Sequence, residues 1–160
     1  MPCIVLFEPE IPPNTGNVAR LCAATGTELH LIEPLGFRLE DRYLKRAGLD
    51  YWPNVRLFTW PGWTAFAQRP RRPENERWVM TSARGTHRPV PLQHFAFQPD
   101  DALIFGPETR GLPPEVLAAS PHRLRIPMRE GGVRSINLST AAGIVLYAAL
   151  ARTGLLEPWG

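Results

Sequence analysis

Three short stretches of this chain gather glycines, amides, hydroxyls and single charged groups in patterns that suit a ligand. The first holds Asn14, Thr15, Gly16, Asn17 and Arg20, just after an apolar run ending at Phe7 and a proline-rich turn. A strand that leads through a turn into a helix is where α/β proteins collect anions, because free N–H groups and the helix dipole attract negative charge. Two amides and a guanidinium there suit a phosphate or a ribose, and equally a capped helix with a solvated arginine. The second stretch reads Phe105, Gly106, Pro107, Glu108, Thr109, Arg110, Gly111, Leu112, Pro113. Its glycines and prolines fix a turn whose bare backbone can approach a flat ligand. A bulky residue at Gly106 should then block the ligand and leave the fold intact; a tight left-handed turn without a ligand also accounts for the pattern. The third runs from Ile126, Pro127 and Met128 across Gly131 and Gly132 to Arg134, Ser135, Ile136, Asn137, Leu138 and Ser139. Asn137 and Ser139 stand where a helix begins and can cap it.

These residues need elements to hold them. Apolar runs at 4–7, 29–32, 55–58, 78–81, 102–105 and 124–126 are continuous rather than alternating, which suits strands covered on both faces. Helical segments fall between them, at 15–25, 40–47, 62–68, 114–119 and 138–152. The alternation predicts an α/β fold, a mainly parallel sheet with helices on both faces. All three stretches then follow a strand, so their loops share the sheet edge where such proteins bind ligands. In the first helix Asn14 or Thr15 is placed to cap and Gly26 to stop. Val18, Leu21, Cys22 and Thr25 form its buried stripe, leaving Asn17 and Arg20 on the opposite side. The last helix has no polar side between Ala141 and Ala151 apart from the Tyr147 hydroxyl, so it needs cover all round. The sheet supplies one cover, and a second copy of the chain is the economical source of the other, giving a homodimer.

A length of 160 residues suits one domain, 1–160, that folds without staples. With 44% hydrophobic and 21% charged residues the chain is neither disordered nor fibrous. The N-terminus lacks a basic segment before its short apolar run, and the apolar run at 141–151 is about half of what spans a bilayer. Those features argue against export and membrane insertion and for a cytoplasmic protein. Cys3 and Cys22 lack any metal-ligand spacing, so neither a metal nor a disulfide is implied, only two buried thiols. A net charge of +3 permits a polyanionic partner without requiring one. Lys45 is the one lysine among 18 cations; that bias suits forked phosphate recognition, and codon bias explains it too. Several arginines crowd a polar loop at 68–77.

Taken in order, NTGNVAR at 14–20, FGPETRGLP at 105–113, and IPM at 126–128 followed by RSINLS at 134–139 resemble the motifs of the SPOUT superfamily of RNA methyltransferases. The chain is most similar to the small tRNA 2'-O-methyltransferases that act on the wobble ribose, of cytidine or uridine 34. The likeness extends to IEPLGF at 32–37 and RAGLDY at 46–51. It implies an α/β sheet with a C-terminal trefoil knot, a rare exception to unknotted topology. It also implies S-adenosylmethionine as methyl donor, leaving S-adenosylhomocysteine, with cofactor contacts at Thr81, Gly106, Glu108, Gly111, Ile126, Ser135 and Leu138. Thr81 departs from the apolar residue more common there, which matters little if the contact is through the main chain. The implied partner is the anticodon stem-loop of tRNA, and no metal is called for.

A ribose 2'-OH is a poor nucleophile, so methyl transfer needs in-line positioning and removal of a proton. The resemblance puts Arg20 beside that hydroxyl, with Asn14, Asn17, Ser135 and Asn137 holding the ribose and the neighbouring loops. A guanidinium is protonated at neutral pH, so orienting the ribose phosphate is as good a role for Arg20 as that of base. Methylation of another tRNA or rRNA ribose and an inactive RNA-binding homologue are the alternatives. A dinucleotide oxidoreductase is not supported, since no GxGxxG precedes Glu33.

Overall fold

Among the described residues, seven short strands, most of them apolar, lie side by side and parallel in one sheet: β1 Cys3–Phe7, β2 Leu29–Ile32, β3 Leu57–Trp60, β4 Trp78–Thr81, β5 Val90–Pro91, β6 Ala102–Phe105 and β7 Arg123–Arg125. Their order across the sheet is β3-β2-β1-β6-β4-β7-β5. The computed structural model describes residues 1–42, 44, 46, 49–82 and 88–160, without the side chains of 49–51. The helices are α1 Pro12–Thr25, α2 Trp63–Ala67, α3 Pro114–Leu117 and α4 Leu138–Arg152. The helix expected at 40–47 and the segment at 46–51 lie partly outside the described residues.

Alternate residues of each strand serve opposite faces, and here both faces are apolar. Ile4, Leu6, Leu29, Leu31, Leu103 and Phe105 meet α1 and α4 through Val18, Cys22, Val145 and Leu146. On the other face Val5, Phe7, Ile32, Met80 and Ile104 meet Phe66 of α2 and Val116 of α3. Both thiols are buried and free. Burial pushes the Cys3 thiol far up and that of Cys22 up to about 12.

Two strand assignments shift. The third strand begins at Leu57 rather than Val55, because a 3-10 turn at Leu49–Asn54 takes the Val55 N–H on the Trp52 carbonyl. The sixth apolar run lies one residue earlier than expected, at Arg123–Arg125. The two-residue edge strand Val90–Pro91 has no apolar run to announce it. Gly26 ends α1 in the left-handed region as expected, at φ 65°. Along α4, Ala142, Val145, Leu146, Ala149 and Leu150 are buried, while Ile144 and Ala148 are half-buried and Tyr147 is 44% exposed. One chain therefore leaves one side of this apolar helix open. Among the described residues no helix is long and apolar enough to cross a membrane.

His30 of β2 is a buried titratable ring in the core. Its Nδ1 accepts from Trp60 Nε1 at 3.0 Å, and its Nε2 lies 3.2 Å from the Glu28 carboxylate. A proton on Nδ1 would break the Trp60 bond, and burial already lowers the imidazole pKa below its ordinary value near 6.5. The unfolded chain therefore takes up this proton at higher pH than the folded one. Stability contributed by neutral His30 is complete above about pH 6.5 and is lost as pH falls from there through the folded value. Urea unfolding at pH 7.5 and pH 5.5 should show this loss, and His30→Gln should reduce the difference between the two; an equal difference in the variant would assign the slope to other groups.

Candidate active site

β1 and β6 are neighbours at the centre of the sheet, and the chain leaves them outward in opposite directions: β2 and β3 on one side, β4, β7 and β5 on the other. Such a switch point opens a crevice beyond the carboxyl ends of the strands. A cavity of about 280 Å³ lies there. From the expected set it is lined by Asn14, Thr81, Gly106 and Glu108, and by Ile126, Ser135, Asn137 and Leu138. Arg20, Asn17 and Gly111 do not line it. Arg20 and Asn17 are exposed on the outer side of α1, and Arg20 stands roughly 9 Å further along the axis than Asn14.

The start of α1 explains why Asn14 reaches the cavity. The helix begins at Pro12, earlier than expected, and its N-cap position, Ile11, offers no side-chain cap. Neither Asn14 nor Thr15 caps it. Pro12 and Pro13 have no N–H to satisfy, and the N–H groups of Asn14 and Thr15 reach the Ile11 carbonyl at 3.1 and 3.4 Å. With no capping to do, the Asn14 side chain, 6% exposed, is free to join loops. Its Oδ1 accepts from Asn137 Nδ2 at 3.0 Å and its Nδ2 donates to Glu108 at 3.4 Å. Asn137 in turn caps α4, accepting the Ser139 N–H at 2.9 Å. All three motifs thus meet in one hydrogen-bonded line.

The first two loops are also clasped directly. The Glu108 carboxylate accepts the N–H groups of Glu10 and Ile11 at 2.8 and 3.2 Å. The Glu10 carboxylate accepts the Thr109 N–H at 3.0 Å and its hydroxyl at 2.7 Å. Those bonds hold the Glu10 carboxyl below its ordinary range.

Gly106 carries a correction. A Cβ there would stand 2.4 Å from the backbone nitrogen of Leu112 and 2.5 Å from the Gly111 carbonyl carbon. The missing side chain makes room for the chain's own return, so a bulky residue at Gly106 would displace the loop and not merely a ligand. Gly111 closes that return in the left-handed region, at φ 70°, with its N–H on the Pro107 carbonyl at 2.9 Å. Thr81 uses its hydroxyl on the Ile104 carbonyl at 2.8 Å, tying β4 to β6. Ile11, Phe105, Leu124, Met128 and Ala141 also line the cavity; none was among the expected site residues, and they extend the apolar wall begun by Ile126 and Leu138. Phe105 and Leu124 lie in strands and Ala141 in the last helix, and apolar residues in such places read first as core.

Glu108 is the acceptor for two backbone donors at a partly exposed position, where each bond contributes on the order of 1 kcal/mol. Glu108→Ala should lower unfolding stability by roughly 2 kcal/mol with an unchanged urea m value. An unchanged unfolding midpoint would show that the loops hold together without it.

The profile of the SpoU rRNA Methylase family matches residues 1–147. A tRNA (cytidine(34)-2'-O)-methyltransferase of Acidovorax sp. (strain JS42) is 46% identical over 157 residues, 97% of this chain and 94% of that protein. A solved structure described by the words "structural insights into the 2-OH methylation of C/U34 on tRNA" superposes with a TM-score of 0.86 at 49% identity, over 95% of each chain. An AdoMet-bound rRNA methyltransferase from Sinorhizobium meliloti, 22% identical, shares the fold with a TM-score of 0.79 over 94% of this chain and 56% of that one. With the family profile covering nearly the whole chain and the sheet, the switch-point cavity and the three joined loops in place, this chain belongs to the SpoU methylase family of RNA methyltransferases.

Proposed function

We propose that this protein is a tRNA 2'-O-methyltransferase that moves a methyl group from S-adenosylmethionine to the ribose of the wobble nucleotide, cytidine or uridine 34. The observation that carries the reading is the junction of all three motif loops through Asn14 at the rim of one cavity. The substrate follows from relatives named for that reaction at close to half identity over nearly the full chain.

The cavity suits the proposed cofactor. Leu124, Ile126, Leu138 and Ala141 give an apolar wall for a flat ring, and Ser135, Asn137 and Glu108 add polar groups at its edge. Thr81, Gly106, Glu108, Ile126, Ser135 and Leu138 would hold the cofactor, with Gly111 shaping the turn from outside. When bound, the sulfonium supplies an electrophilic methyl group. The residues at the rim would have to bring the ribose 2'-hydroxyl in line with that methyl group and leave its proton a path out to solvent. The chain's own work is positional: Asn14 and Asn137 keep the loops in register so that the hydroxyl arrives in line.

Arg20 acts on the RNA, orienting the phosphate or ribose beside the 2'-OH. It does not line the cavity of its own chain, so we place it in the site of a second copy. Supporting this, α1 packs on α4, whose open side carries Ile144, Ala148 and Tyr147. A homodimer closing over that side would complete both sites, let a small protein grip an anticodon stem by phosphate contacts, and act in the cytoplasm on tRNA without a metal. We also infer that the C-terminal segment forms the trefoil knot that the resemblance to the family implies.

The central test is incubation with labelled S-adenosylmethionine and total tRNA, then mapping of the labelled nucleotide. Label on the ribose of nucleotide 34 is the expected result; label elsewhere, or none, removes the assignment. In the same assay Arg20→Ala should reduce transfer by orders of magnitude while the protein stays folded. Near-normal turnover would take Arg20 out of the mechanism.

For the dimer, the expected solution mass is twice 18.0 kDa. Tyr147→Asp should yield folded monomers with little methyl transfer. A fully active monomer would show that one chain carries the whole site.

A further inference from the structure

The amino edge of the sheet, opposite the cavity, carries a second recess. A groove of about 400 Å³ runs there between the starts of β2 and β3 and the arginine-rich loop at 68–77. Its floor is aromatic. His30 stacks on Phe58 with ring centres 4.9 Å apart and planes at 16°, and on Trp60 at 6.2 Å and 18°. Trp60 and Glu28 hold the imidazole by hydrogen bonds, so the stack is fixed in place. Phe58, 39% exposed, is its open end.

The loop beside it is anchored from within. Glu76, buried under the loop, takes the guanidinium groups of Arg69 and Arg72 and the Trp78 N–H. That anchoring fixes the backbone on which Arg71 stands. Arg71 is exposed on the groove wall and has φ 63°, a conformation that favours glycine. The rim carboxylates have partners of their own: Glu28 pairs with His30 and Arg56, and Asp100 with the Met1 amine. Among the described residues no carboxylate pairs with Arg71.

An open aromatic face beside a guanidinium with no paired carboxylate is what a nucleic-acid base and its phosphate require. We propose that this groove is a second contact for the RNA substrate, in which an unpaired base stacks on Phe58 and an adjoining phosphate is held by Arg71. The proposal rests on the RNA methyltransferase reading and extends it. Strands of four or five residues put the two edges roughly 15 Å apart, well within the span of a folded stem-loop. The groove touches no reacting atom, so its contribution is to substrate affinity.

Two measurements on wild type, Phe58→Ala and Arg71→Gly test it: steady-state methyl transfer against tRNA concentration, and retention of tRNA on filters without cofactor. Each variant should raise the KM for tRNA and weaken retention about tenfold, with kcat within about twofold, as loss of one stacking or phosphate contact predicts. Arg71→Gly should also flatten the salt dependence of retention by about one phosphate contact while leaving thermal stability equal or higher, since glycine suits that backbone. That pairing separates a binding role from a structural one. Retention and KM within twofold of wild type in both variants overturn the groove. A wild type that retains tRNA but transfers no methyl group overturns the methyltransferase reading alone, and the retention arm still decides the groove.

Discussion

The line of hydrogen bonds from Glu108 through Asn14 to Asn137 is the constraint on which the site depends. It joins the loop after β6, the start of α1 and the start of α4, segments separated by more than ninety residues in each step from Asn14. An amide suits this place because it offers a donor and an acceptor together. Aspartate would have no donor for Glu108 and would set two carboxylates face to face. The arrangement is available only because α1 starts on two prolines, which ask for no cap and leave Asn14 unspent.

The loop that carries Asn14 is held from both sides with little room to spare. Glu8 takes φ 48°, unusual for a residue with a side chain, and its N–H is fixed on the Ile32 carbonyl at 2.9 Å. Below, the Gly36 N–H donates to the Pro9 carbonyl at 2.9 Å, and a Cβ on Gly36 would come within 2.8 Å of the Glu10 Cα. Above, Glu108 and Thr109 close on Glu10. Strain of this kind persists only where the surroundings over-determine it. The surroundings are the two apolar layers on either face of the sheet, which set the strand ends and so the spacing of the loops.

Much of this was legible in the sequence. Continuous apolar runs gave the parallel sheet, because strands buried on both faces have no polar alternation to show. Gly26 and the 138–152 helix were readable from local chemistry alone. Other features escaped for physical reasons. β5 is two residues at an edge and ends in a proline, so no run marks it. Asn14 looked like a cap because its type is a capping type, and only the partners contributed by distant loops reveal a different use. Gly106 looked like a place for a ligand, yet the atoms that fill the space of its missing side chain belong to Leu112 and Gly111. Sequence tells that a backbone must come close; it does not tell what comes close to it.

The arginine bias shows the same limit and resolves into two populations. Arg77 grips the buried Asp101 with two bonds of 2.8 Å and reaches the Ala96 carbonyl. Arg69 and Arg72 meet at Glu76, Arg123 donates to the Leu117 carbonyl, and Arg152 to those of Leu92 and Phe95. These side chains satisfy carbonyls and carboxylates at the ends of short elements, a task that needs several donors in a fixed plane and that lysine performs poorly. These side chains have partners within the protein that hold them in place. A composition count merges them with the arginines on the surface. A net charge as small as +3 is compatible with a nucleic-acid substrate: what matters is where the exposed guanidinium groups stand, not how many the chain contains.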